Sequence, residues 1–139
     1  MIDGYSYEFY RTAADYIREK IGFTPEIAII LGTGCAPFSE KVEHSIEFPY
    51  SEIPNFLITT NRSHAGKMIA GSVAGKKVIC MNGRFHYYEG YSMEELNIPV
   101  HVMHVLGVKT LILTNAAGAV NPEYKPGDAM IIKDHIKFH

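Results

Sequence analysis

No apolar run in this sequence approaches the roughly eighteen residues that a membrane-crossing helix needs, and Met1-Ile2-Asp3-Gly4-Tyr5 lacks the apolar centre of a signal peptide. A cytosolic location with no membrane partner is therefore expected. Cysteine is scarce: Cys35 and Cys80 are the only two, and their separation matches neither metal-ligand nor redox spacing. Buried or free thiols are expected rather than a disulfide. There is no block of Lys or Arg, and the formal net charge is only −2. That balance argues against non-specific binding to nucleic acid or a membrane surface, so any anion must be met by local cations. Internal repeats, low-complexity runs and linkers are also missing, which leaves one folding unit.

What is present suits a soluble α/β domain spanning residues 1–139. The chain is 47% hydrophobic over 139 residues, enough to bury roughly two-thirds of its unfolded surface. Phe9, Ala13, Tyr16, Ile17 and Ile21 recur at helical spacing ahead of Gly22, predicting an amphipathic helix over Tyr5 to Ile21. Ile27 to Leu31 is a continuous apolar run, the pattern of a strand covered on both faces. From Cys35 to Asn61, Pro37, Pro49 and Pro54 break the chain into connecting loops with one short strand near Ile46 to Phe48. Met68 to Val73 and Lys77 to Met81 flank Ala74-Gly75-Lys76 as a hairpin whose apolar second strand should be central. Ser92 with Glu95 forms a capping-box pattern, and Pro99 is expected to delay the main helix until about its own position. Further strands are predicted over Lys109 to Leu113 and Ala129 to Ile132.

The densest chemistry lies in Gly83-Arg84-Phe85-His86-Tyr87-Tyr88-Glu89-Gly90-Tyr91, immediately after the apolar run Val78 to Met81. Open α/β folds keep their sites at the ends of such strands. Arg84 offers a planar fork of donors suited to phosphate or carboxylate. His86 and Tyr88 alternate and would share a side if the strand continued. Composition alone leaves an ordinary exposed turn as the competing interpretation.

Two other strand exits carry small residues. Gly32-Thr33-Gly34 follows the first strand, where glycine admits close backbone approach to an anion and Thr33 adds a hydroxyl; a plain tight turn explains the same residues. The spacing fits neither the dinucleotide fingerprint nor the P-loop. Thr114-Asn115-Ala116-Ala117-Gly118 leaves room for a flat ligand and exposes backbone donors. His64 reads as a solvated loop histidine. His101 and His104 lie on a helix at a metal-compatible spacing, but without the cysteine or carboxylate company of a metal site.

Taken together and in order, these stretches resemble the trimeric purine nucleoside phosphorylases. The resemblance rests on Gly32-Thr33-Gly34, Ile53-Pro54-Asn55-Phe56, His64-Ala65-Gly66, Gly83 through Tyr91, Leu106-Gly107-Val108, Thr114-Asn115-Ala116-Ala117-Gly118 and Gly127-Asp128 through Asp134-His135-Ile136. It implies a mixed central sheet flanked by helices, of the purine/uridine phosphorylase type and incomplete on its C-terminal side. It also implies reversible phosphorolysis of purine nucleosides to free base and ribose 1-phosphate by a cytosolic homotrimer. Phosphate would be a co-substrate, with no metal or organic cofactor.

By motif, Thr33, His64, Arg84, Phe85, His86 and the backbone at Ala116 would hold phosphate. Tyr88 would touch ribose, and Asn115, Ala117 and Gly118 would line the nucleoside pocket. Two positions depart from the family pattern: Thr33 stands where serine is usual, and Ser63 precedes His64 where glycine is common. The resemblance covers only the first half of the family, so the groups that read and stabilise the purine fall outside it. A non-catalytic phosphate- or nucleotide-binding module is the alternative, and an assembly or regulatory subunit a third.

Overall fold

A computed structural model describes residues 4–59 and 66–136. Helix α1 is Tyr7–Ile21. It starts two residues later than its apolar pattern predicts because Ser6 is its N-cap, accepting the Phe9 N–H at 3.2 Å on its hydroxyl. Its C-terminus closes at Gly22, whose N–H donates to the Arg18 carbonyl. Strand β1 is Ile27–Leu31, β2 Glu43–Pro49, β3 Lys67–Val73, β4 Lys76–Asn82 and β5 Thr110–Leu113, with helix α2, Met93–Leu106, between β4 and β5.

The five strands form one mixed sheet in the order β2-β3-β4-β1-β5. β1 runs parallel to both β4 and β5, while β2, β3 and β4 are successively antiparallel. β4 is thus the middle strand, as its apolar sequence implies. The region from Cys35 onward is more ordered than its prolines suggest: β2 pairs along β3, a two-turn 3-10 helix occupies Ala36–Lys41 and a single 3-10 turn Tyr50–Glu52.

Alternation along the central strands divides the core. Ala28, Ile30, Ile79 and Met81 face a cluster containing Ala13 and Ile17 of α1 and Ile98, Val102 and Leu106 of α2. Ile29, Leu31, Ile69, Val78 and Cys80 form a second cluster with Val42, to which neither helix contributes. Both cysteines are free, and burial pushes the Cys80 thiol up to about 11.

Three local expectations require correction. Helix α2 begins at Met93 and carries Pro99 in its interior. The reciprocal bonds between Ser92 and Glu95 secure its first turn, and burial of Pro99 beside Ile98 offsets the lost backbone donor. Beyond Gly83 the chain does not continue as a strand: Tyr87–Glu89 is a 3-10 turn closed at Gly90. Ala129 to Ile132 makes no strand either. An extended segment needs a ladder partner, and this one has none among the described residues, leaving Ile131 95% exposed. No helix among the described residues is long and apolar enough to cross a membrane.

Candidate anion-binding site

The parallel pairings decide where the chemistry gathers. Leu31 lies beside Asn82, and Ile30 beside Leu113, so β1, β4 and β5 release their chains at the same edge of the sheet. The stretches beginning at Gly32, Gly83 and Thr114 therefore leave side by side, as open α/β sites require.

Thr114 ties two of these exits together. Its hydroxyl accepts the Gly32 N–H at 2.8 Å and donates to the Ile30 carbonyl at 3.0 Å. Gly32 has to be glycine at this approach, because a Cβ there would stand 2.3 Å from the Thr114 carbonyl oxygen. Beyond it, Cys35 N–H donates to the Gly32 carbonyl at 3.0 Å, so Thr33 and Gly34 form a tight turn with φ 83° at Gly34. Thr33 is exposed at its tip.

Arg84 bridges the outer exits. One guanidinium nitrogen donates to the Thr114 carbonyl at 3.2 Å, carrying the charge across the end of β1. The root of its loop is fixed by Tyr50, whose buried hydroxyl donates to the Gly83 carbonyl at 2.7 Å. Desolvation pushes that phenol's pKa far up and keeps it a neutral donor. Phe85 is buried in an aromatic cluster with Tyr50, Phe56 and Tyr91, at ring separations of 5.2, 5.8 and 6.0 Å. Its ring anchors the loop.

His86 and Tyr88 do share a side, although by a different route from strand alternation: the 3-10 turn stacks their rings at 4.7 Å and 15°. Tyr88 is 73% exposed and so presents its other face outward. Behind His86, the Glu89 carboxylate accepts the His86 backbone N–H at 2.9 Å and sits 2.9 Å from His86 Nδ1. It also accepts the Thr59 hydroxyl at 3.0 Å.

Asn115, Ala116, Ala117 and Gly118 are exposed, and the Asn115 amide donates to the Ala116 carbonyl at 3.2 Å. Asn115, Ala117 and Gly118 line a broad cleft of about 1080 Å³ whose other wall lies within residues 119–132. Arg84 and Phe85 instead border a separate cleft of about 190 Å³ with Ile30, Met81, Pro99 and Leu113. His64 lies outside the described residues. His101 rests its ring against Tyr10 at 4.9 Å, and no group of three or more metal-ligating side chains gathers among the described residues.

Sequence reasoning placed Thr114 and Glu89 within the motif stretches but gave neither a role of its own. Thr114 is recognisable only as a hydroxyl at a strand exit, and Glu89 only by its three-residue spacing from His86.

The geometry defines an open α/β protein whose parallel strand ends converge on a cationic, hydroxyl-bearing edge. Residues 26–139 match the phosphorylase superfamily, and the chain belongs to that family. It is 50% identical over 124 residues to purine nucleoside phosphorylase 1 of Geobacillus stearothermophilus, covering 89% of this chain and 45% of that protein. It is 43% identical over 136 residues to the purine nucleoside phosphorylase of Rattus norvegicus, covering 98% and 47%. Isoform 2 of the Schistosoma mansoni purine nucleoside phosphorylase, solved with cytosine and ribose-1-phosphate, superposes with a TM-score of 0.81 at 45% identity. That alignment covers 88% of this chain and 43% of the other. The chain thus spans a little under half the length of these relatives.

Proposed function

We propose that this chain supplies the phosphate- and ribose-holding part of a purine nucleoside phosphorylase. The observation that carries the reading is the side-by-side exit of β1, β4 and β5, with Arg84 reaching across to Thr114. On this reading Arg84, His86, Thr33 and the backbone at Ala116 surround the phosphate, with His64 as a further partner. Tyr88, stacked on His86, meets the ribose, and Asn115, Ala117 and Gly118 border the nucleoside.

The chemistry asks for positioning rather than a protein nucleophile. A phosphate oxygen forms the new bond to the sugar's anomeric carbon while the bond to the purine nitrogen breaks; the electron pair leaves with the base. The transition state is oxocarbenium-like, so an anion held beneath the sugar both attacks and stabilises the developing positive charge. Arg84 orients two phosphate oxygens, as a planar guanidinium does best. Neither a metal nor an organic cofactor is required. The protein acts in the cytosol as a homotrimer, an assembly that light scattering tests.

Supplying inosine and inorganic phosphate to the protein in its natural length is expected to release hypoxanthine in proportion to phosphate. Release that is absent or independent of phosphate removes the reading. The alternative reading is a module that binds phosphate without turnover. Calorimetry on the protein in its natural length separates the two, since phosphate binding without base release there identifies the module.

A further inference from the structure

Arg84 is held from both sides by a single residue. Tyr50 follows β2 as the first residue of the 3-10 turn Tyr50–Glu52, and it is 1% exposed. Its hydroxyl donates to the Gly83 carbonyl at 2.7 Å, while its ring lies 5.2 Å from that of Phe85. The residues immediately before and after Arg84 therefore both rest on Tyr50. Its own backbone is tied to the same strand end: the Tyr50 N–H donates to the Gly66 carbonyl at 3.0 Å, and the Gly66 N–H donates to the Asn82 carbonyl at 3.1 Å. The successive carbonyls of Asn82 and Gly83 are thereby both engaged, and the peptide that joins Gly83 to Arg84 has its orientation set by the Tyr50 hydroxyl.

That peptide is the joint at which a lock matters most. Gly83 has φ 99°, a conformation that glycine takes freely and from which it also departs freely. The rigid strand β4 thus passes to Arg84 through the least restrained residue type. A buried hydroxyl keeps its acceptor, because either group left unpaired away from water is costly; the bond at Gly83 accordingly removes the freedom that the glycine brings. Beyond the joint, the guanidinium donates to the Thr114 carbonyl at 3.2 Å. We propose that Tyr50 is a positioning residue for the anion: its hydroxyl locks the Gly83–Arg84 peptide, so that the guanidinium already stands across the strand ends when a phosphate arrives. The inference rests on the phosphate-binding role of Arg84 given above. A cation fixed in advance binds its anion without first losing conformational freedom, so the benefit falls on phosphate and not on the nucleoside.

The test uses the protein in its natural length with Tyr50→Phe, Arg84→Ala and the double variant. Tyr50→Phe removes the hydroxyl and leaves the ring packed with Phe56 and Phe85. Phosphate affinity measured by calorimetry is expected to fall roughly tenfold, the worth of one hydrogen bond. The KM for phosphate is expected to rise in step, while that for inosine stays within about twofold. In the Arg84→Ala background the same change is expected to cost less than about twofold, since a residue acting through Arg84 has nothing left to position. A purely structural role would weaken both substrates alike, or weaken phosphate equally in both backgrounds; either result, or an unchanged phosphate affinity in Tyr50→Phe, overturns the proposal. Hydrogen exchange of residues 83–91 in the anion-free wild type keeps the proposal testable if Tyr50→Phe fails to fold. Slow exchange that phosphate leaves unaltered is expected, and a segment protected only once phosphate is added overturns it. A wild type that binds phosphate without releasing base removes the phosphorolysis reading and leaves the Tyr50 result standing.

Discussion

Arg84 reaches from the β4 exit to the Thr114 carbonyl at the β5 exit, and the proposed anion site depends on its charge there. Its replacement by alanine is expected to weaken phosphate binding by about 2 kcal/mol, roughly thirtyfold, the worth of one good charge-assisted contact. Phosphate titration by calorimetry reads this directly, and an unchanged affinity removes Arg84 from the site. Gly32 is as demanding sterically. A methyl group there meets the Thr114 carbonyl oxygen at 2.3 Å and Asn115 Cα at 3.1 Å, both backbone atoms that cannot swing aside. Gly32→Ala is expected to cost about 2–3 kcal/mol of stability through displaced β1 and β5 exits, measured as a lower urea midpoint. The gathering of Arg84, His86 and Tyr88 at one strand exit was legible in the sequence, because the three lie close together just after the apolar run of β4. Thr114 was not, since its partner Gly32 is 82 positions away and only the parallel register brings them together. Glu89 looked like any surface acid until the 3-10 turn folded its carboxylate behind His86.

At the level of elements, local rules succeeded wherever a motif closes on itself. The hairpin between β3 and β4 turns on Ala74 and Gly75, both with positive φ, at 47° and 76°. Alanine is strained there and glycine is not, so Ala74→Gly is expected to raise stability by up to about 1 kcal/mol in thermal or urea unfolding. The capping box of α2 was also legible, but the weight given to Pro99 misplaced the helix start, because burial of the ring within α2 cannot be seen from propensity. Glu95 accepts the Ser92 backbone N–H at 2.6 Å, and this bond, aided by the Ser92 hydroxyl, holds its carboxyl below the ordinary 4.5. A depressed acid stabilises the fold above its unfolded value and ceases to do so as pH falls through the folded one. The gap in urea midpoint between wild type and Glu95→Gln is therefore expected to be present near neutrality and to close as pH drops below the usual carboxylate range. A gap independent of pH would remove the charged cap.

Across the whole molecule, the order of strands explains both what the sequence revealed and where it misled. Helix, hairpin and parallel strands were readable because each buries a periodic face within this chain. Ala129 to Ile132 carries the same apolar signal, yet periodicity specifies a strand only when another strand lies within hydrogen-bonding reach. β5 is the last strand of the sheet, with its outer edge unpaired among the described residues. Ile112 and Leu113 on it are 42% and 66% exposed, and Val120, Ile131 and Ile136 beyond it are almost uncovered. An open, uncharged edge beside exposed aliphatic side chains is a template for association. The 139-residue chain is accordingly expected to self-associate with rising concentration in sedimentation velocity. Ile112→Lys places a charge on that edge, and it is expected to return the chain towards a monomer without disturbing α1 or α2, whose core cluster does not include Ile112. Association that persists unchanged in the lysine variant would place the contact on another surface.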